Sequence, residues 1–147
     1  MAPQGRVRLL SSEYPRYRAG MALQLLGLRT AIYPVQDLTT ATAWWTGLLG
    51  HGPYFDEPFY VGFDVAGYEL ALMPRADPAD GVLTYWGVDD VPASVAQFVA
   101  AGAAEHMPAA EVGGGIVTAT VRTPQASIVG LIFNPHFKAE PADPTHP

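Results

Sequence analysis

The chain has 147 residues, 49% of them hydrophobic and 15% charged, with no cysteine and a net charge of −6. That length suits one domain able to bury roughly 70% of its unfolded surface. The acidic balance disfavours a phosphate backbone as partner, the lack of cysteine excludes disulfides, thiolate nucleophiles and cysteine-bound zinc, and no apolar run reaches the length a membrane-spanning helix needs. The expectation is a cytoplasmic protein with no nucleic-acid and no membrane partner.

Residues 1–29 hold five Arg and one Glu, and residues 1–25 read as a basic flexible arm, as chain ends often are. Met21 offers an alternative start. AGMALQLLGL (19–28) imitates a signal peptide, but Gln24 and Gly27 interrupt it and no small-x-small cleavage site follows. The folded domain is expected over 26–137, with a disordered tail at 138–147.

LGLRTAIYPV (26–35) alternates Leu28, Thr30 and Ile32 against Arg29, Ala31, Tyr33 and Val35, the period of a strand. Asp37 is placed to cap a helix, whose stripe would be Leu38, Ala41, Trp45, Leu48 and Leu49 before a left-handed stop at Gly50. Three strands follow, near 53–55, 59–65 and 68–74, the last two joined by a hairpin at Ala66-Gly67. RADPADG (75–81) is rich in turn formers and reads as a linker. VLTYWGV (82–88) is then a strand, and Asp90 with Pro92 opens a helix whose stripe is Val91, Val95, Phe98 and Val99. Strands at 103–112, 116–122 and 127–134 complete the set. Gly113-Gly114-Gly115 reads as a turn rather than a phosphate cradle, since β-branched Ile116-Val117 follows where a helix would be required.

VQDLTTATAWWTGLLG (35–50) and VDDVPASVAQFVAAG (88–102) share a Val-x-Asp opening, an aromatic eight positions after the Asp, and a closing Gly. The chain is therefore a duplicated βαβββ unit, with modules at 26–76 and 81–137. The fold class is α+β.

These two stretches, with YELALMP, YWGVDDV, the VGGG turn and the ending IVGLIFNPHF, resemble the vicinal oxygen chelate superfamily of glyoxalases, bleomycin-resistance proteins, fosfomycin-modifying enzymes and extradiol dioxygenases. The resemblance spans about residues 28–137. It implies two βαβββ modules forming a half-open curved sheet, commonly in a homodimer, with a concave floor that in many members holds a divalent metal. The metal-ligand positions it implies fall on Thr30, Glu69, Leu83 and Gly130. Of these, Glu69 alone is a conventional ligand, whereas an oxygen-rich divalent site needs several. His51, His106, His136 and His146 show no paired ligand spacing and match none of these positions, though His136 is placed to close a cavity mouth or a dimer edge. No metal and no cofactor are expected.

Residues two apart on a strand share a face, so Leu28 and Ile32 accompany Thr30, Ala71 and Met73 accompany Glu69, Tyr85 accompanies Leu83, and Ile132 and Asn134 accompany Gly130. The candidate ligand-binding residues are Thr30, Ile32, Glu69, Met73, Tyr85, Ile132 and Asn134, in a mainly apolar wall suited to a small, partly aromatic ligand. Trp45, Trp86 and Phe98 are assigned to helix-on-sheet packing. Glu69 is a candidate general base or a hydrogen-bond partner for a cationic ligand, or else a carboxylate satisfied by backbone or hydroxyl donors such as Tyr85. The expected function is metal-free binding that sequesters or senses an apolar or aromatic molecule. The alternatives are a glyoxalase-like lyase, isomerase or dioxygenase, a metal-free enzyme using Glu69, and an interaction module with a vestigial cavity.

Overall fold

A computed structural model of the protein describes residues 23–74 and 76–138. Most of the expected arm (1–25) and tail (138–147), with Met21, Arg75 and His146, lies outside the described residues. The first half runs β1 (Leu28–Pro34), α1 (Leu38–Leu49), β2 (Phe55–Glu57), β3 (Tyr60–Val65) and β4 (Tyr68–Met73). After a 3-10 turn at Pro78–Asp80 the second half runs β5 (Leu83–Gly87), α2 (Val91–Ala100), β6 (Ala104–Gly113), β7 (Ile116–Arg122) and β8 (Ile128–Phe133). This is the doubled βαβββ order expected from the repeat.

The repeated Asp residues do the same work in both copies. Asp37 accepts a hydrogen bond from the Thr40 amide at 3.0 Å, and Asp90 from the Ala93 amide at 3.0 Å, each satisfying a helix-end donor that has no partner within the helix. Gly50 stops α1 in the left-handed region at φ 78°. In the β3–β4 hairpin both Ala66 and Gly67 have positive φ (52° and 87°), the geometry that matches the twist of the flanking strands. The Asp64 carboxylate accepts the Gly67 amide there at 2.8 Å.

All eight strands form one sheet in the order β2-β3-β4-β1-β5-β8-β7-β6. Inside each module the first strand runs parallel to the last, β1 beside β4 and β5 beside β8. The modules join through antiparallel pairing of β1 with β5, so the seam lies within one chain. Both helices cover the same side of the sheet. Beneath α2, Val88, Val91, Val95, Ala119, Val121 and Leu131 form a buried cluster onto which Phe98 packs. Under α1, Val61, Phe63 and Leu72 are buried, with Leu38, Ala41, Trp45 and Leu49 packed against them.

Three expectations for the helix side need correction. Val99, assigned to the stripe of α2, is 47% exposed and outside the packed cluster. Leu48 is 62% exposed; it lies about 60° round the helix from Trp45, on the flank of the stripe. Trp86 is half-buried on the helix side of β5, in register with Leu28 and Leu131, and it belongs to neither packed cluster.

The Asp37 cap makes a pH prediction. Hydrogen bonds from Thr40 hold its carboxyl below the ordinary 3.8. A depressed folded value means that the cap's contribution is complete above the unfolded value and is lost as pH falls through the folded one. Urea melts from about pH 5 down to about pH 2 should therefore show a shallower acid loss for Asp37→Asn, which keeps a capping oxygen that does not titrate.

Candidate functional site

The sheet side opposite the helices encloses a cavity of about 800 Å³. Its floor follows from the pairing register. Glu69 on β4 lies opposite Thr30 on β1, Thr30 opposite Tyr85 on β5, and Tyr85 opposite Gly130 on β8. Four adjacent strands thus present Glu69, Thr30, Tyr85 and Gly130 in one row. The sequence count had put Leu83 in this row. Leu83 in fact pairs with Ile32, two residues along the strand from the row, and it does not line the cavity.

A β-bulge between Leu28 and Thr30 makes a second correction. A bulge inserts one residue and re-aims the side chains beside it. Leu28 turns to the helix side opposite Trp86, while Arg29 and Thr30 both reach the cavity. Simple alternation had placed Leu28 in the wall and Arg29 behind it.

The cavity brings together all seven of the expected wall residues: Thr30, Ile32, Glu69, Met73, Tyr85, Ile132 and Asn134. Ala71 is fully covered and contributes no wall. The sequence reading missed the aromatic rim on β2, β3 and the turns beside them, made by Tyr54, Phe55, Phe59 and Tyr60. The available signal was Tyr60-x-Gly62-x-Asp64, a strand alternation with a gap at its centre. Phe137, two residues past Pro135, sets its ring in a tilted contact 5.7 Å from that of Tyr68 and 3.7 Å from the Arg29 guanidinium carbon. The segment that carries it is pinned by His136, whose Nε2 lies 2.8 Å from the Gly114 carbonyl oxygen, and by the His136 amide donating to Asn134 Oδ1 at 2.9 Å. His136 therefore stands at the cavity wall, one of the two places the sequence left open for it.

Glu69 is held by hydroxyls. Tyr54 donates to Oε2 and Tyr60 to Oε1, and Thr30 donates to Oε1 at 3.3 Å. The donors are these three rather than Tyr85. Gly62 makes the arrangement possible, because a Cβ there would stand 2.7 Å from Glu69 Oε2 and 3.2 Å from the Tyr54 ring. Burial first, and then the Glu69 carboxylate, push the Tyr54 and Tyr60 phenols well above the ordinary 10.0. Burial raises Tyr85 as well. All three therefore carry their protons at neutral pH; Tyr54 and Tyr60 donate theirs to Glu69.

The floor row does not fit a divalent metal. It offers one carboxylate, with a hydroxyl, a phenol and a glycine in the other three places, and three O–H donors already occupy three of the four or so lone-pair directions of that carboxylate. Among the described residues no three His, Asp or Glu side chains gather as a ligand set. His51 is exposed beside the Phe63 ring on the helix side, and His106 bonds Thr120 Oγ1 at 2.8 Å.

No family model matches the chain, and no curated protein sequence matches it. Solved structures do. Methylmalonyl-CoA epimerase from Streptomyces coelicolor, in complex with 2-nitronate-propionyl-CoA, superposes with TM-score 0.64 at 15% identity over 79% of this chain and 99% of its own. A glyoxalase/bleomycin resistance protein/dioxygenase superfamily member from Vibrio splendidus 12B01 gives 0.57 at 18% identity over 72% and 97%. Homoprotocatechuate 2,3-dioxygenase from Brevibacterium fuscum gives 0.64 at 15% identity, over 80% of this chain and 39% of that longer one. At such identities the likeness is one of fold: the chain has the curved, open α+β sheet of the vicinal oxygen chelate proteins, as its repeated segments implied.

Gly130 tests the floor. A Cβ there would meet the Tyr85 ring at 2.5 Å and the Thr84 carbonyl oxygen of the neighbouring strand at 2.7 Å, so Gly130→Ala should destabilise the protein by about 1–3 kcal/mol. Adding Tyr85→Ala should recover part of the loss, the part due to the ring, when the two changes are compared in a double-mutant cycle by urea denaturation.

Proposed function

We propose that this chain is a metal-free small-molecule-binding protein, which takes an apolar or aromatic ligand into the cavity and sequesters or senses it. The observation that carries the reading is the state of the floor: the residue best suited to grip a metal, Glu69, is engaged by Thr30, Tyr54 and Tyr60. Around it the cavity is lined with aromatic rings and with Ile32, Met73 and Ile132. Apolar area of this kind supplies affinity, and a few polar groups fix orientation. The same bonding favours a holding role for Glu69 over a general base, since three donors leave only about one of its lone-pair directions open to a proton.

The epimerase and the dioxygenase that share the fold are enzymes, which keeps a lyase, isomerase or dioxygenase as the alternative activity. The donor chemistry of the floor weighs against its metal-dependent forms. A homodimer in the cytoplasm, without nucleic-acid partners, completes the proposal. In its favour, every residue of β6 is exposed, including Met107 and Val112, at an edge that a second copy would cover.

Two measurements test this reading. Protein purified from metal-supplemented medium should carry no stoichiometric nickel, zinc, iron or cobalt; one tightly held ion per chain would reverse the proposal. A thermal-shift screen of aromatic and other apolar small molecules should yield compounds that raise the melting temperature, because a ligand bound only to the folded state stabilises it. For such a ligand, Glu69→Gln should alter affinity without abolishing any turnover. Separately, sedimentation velocity should show a dimer.

A further inference from the structure

The cavity is unevenly supplied with donors and acceptors. Four of the five carboxylate and amide oxygens of its lining side chains are engaged, Glu69 Oε1 and Oε2 by three hydroxyls, Asp64 Oδ1 by the Gly67 amide, and Asn134 Oδ1 by the His136 amide. Three of its donor groups are open. Among the described residues no hydrogen bond from the Arg29 guanidinium, the Tyr85 hydroxyl or the Asn134 amide nitrogen to a protein acceptor is present, although all three line the cavity. No buried side-chain nitrogen or oxygen among them is left without a partner, so these donors face cavity solvent. The basic side chains among the described residues are Arg29, Arg122 and Lys138. Arg29 and Lys138 both line this cavity, in a body that is otherwise acidic.

Arg29 is set in a slot. Bulged out of the β1 alternation, its guanidinium lies over Gly87, where a Cβ would stand 2.7–2.9 Å from Nε, Cζ and Nη2, and beside Gly27, where a Cβ would stand 3.4 Å from Nη1. The Phe137 ring covers it from above at 3.7 Å. With its faces covered, the guanidinium has its N–H edges left for binding, and a planar fork held in this way loses little freedom when it meets a carboxylate. Tyr85 sits two residues from Gly87 on the same face of β5, roughly 7 Å along the strand, within reach of the same ligand.

We infer that the Arg29 end of the cavity is an anion subsite, and that the ligand is a small aromatic monoanion, a carboxylate or its sulfonate equivalent. Its ring lies among the aromatic side chains of the cavity and its charge is met by Arg29. The inference rests on the small-molecule-binding reading and narrows its ligand class. A cationic ligand is disfavoured by the same inventory, because Glu69 already accepts three hydroxyls and two cationic side chains, Arg29 and Lys138, share the cavity.

The test compares 2-naphthoate with 2-naphthamide, nearly isosteric probes that differ in charge, by isothermal titration calorimetry in low-salt buffer. The expected result is that wild-type protein binds naphthoate at least about tenfold more tightly. Added salt should weaken naphthoate alone. Arg29→Met should erase the preference by weakening naphthoate far more than naphthamide, and Arg29→Lys should retain part of it. Should Arg29→Met not fold, the wild-type preference, its salt dependence and Arg29→Lys decide the matter. Equal affinities in the wild type, or an equal loss of both probes in Arg29→Met, would assign Arg29 to packing against Phe137 and overturn the inference. Binding of naphthamide but not naphthoate would also overturn it and leave the small-molecule reading standing. Binding of neither probe would count against that reading itself.

Discussion

The antiparallel pairing of β1 with β5 is the constraint on which the molecule depends. Each module alone is a four-stranded sheet with a helix on one side, and its first strand would be an open edge, with backbone donors and acceptors unpaired. Pairing the two first strands satisfies those groups and turns two sheets into one. It also aligns Glu69, Thr30, Tyr85 and Gly130 across the join, so backbone hydrogen bonding sets the spacing of the floor. The chemistry of the cavity is inherited from that register.

Once the seam is made, the two faces of the sheet follow different rules. The helix face is governed by volume: Phe63, Leu72 and Leu131 are fully buried and meet the apolar stripes of α1 and α2. On the cavity face the recurrent feature is small residues that make room for large ones. Gly62 clears space for Glu69 and Tyr54, Gly87 for Arg29, and Gly130 for Tyr85. A glycine inside a strand weakens it, and three on one face mark where side chains from neighbouring strands lie flat against the backbone. The polar groups of the cavity are thereby fixed by close contact.

Much of this was legible in the sequence because it is local and periodic. The repeated Val-x-Asp openings identified both helix caps, the Gly and Pro punctuation separated the strands, and alternation from the positions the resemblance implied, Thr30 and Glu69 among them, added Ile32, Met73, Tyr85, Ile132 and Asn134, all of which line the cavity. What could not be read is whatever depends on pairing between strands. The bulge that exchanges Leu28 for Arg29 exists only relative to β5, and the register that puts Tyr85 rather than Leu83 opposite Thr30 is a property of two strands 50 or more residues apart. Tyr54 and Tyr60 escaped for a related reason: their tie to Glu69 crosses from one strand region to the next, whereas their own neighbourhood, PYFDEPFY, has no clear alternation.

The repeat also shows how the two copies have parted. Thr30 and Tyr85 occupy the first strand of each module, Glu69 and Gly130 the last. The first copy pairs a small hydroxyl with a long acid, and the second pairs a large phenol with no side chain at all, so that Tyr85 lies over the space that a counterpart of Glu69 would fill. A centre that needs ligands from both halves requires donors at matching places, and the second half has exchanged one of them for the volume of a ring. The floor therefore has an engaged acid at one end and open donors at the other. That polarity runs along the cavity and favours a ligand with a direction of its own.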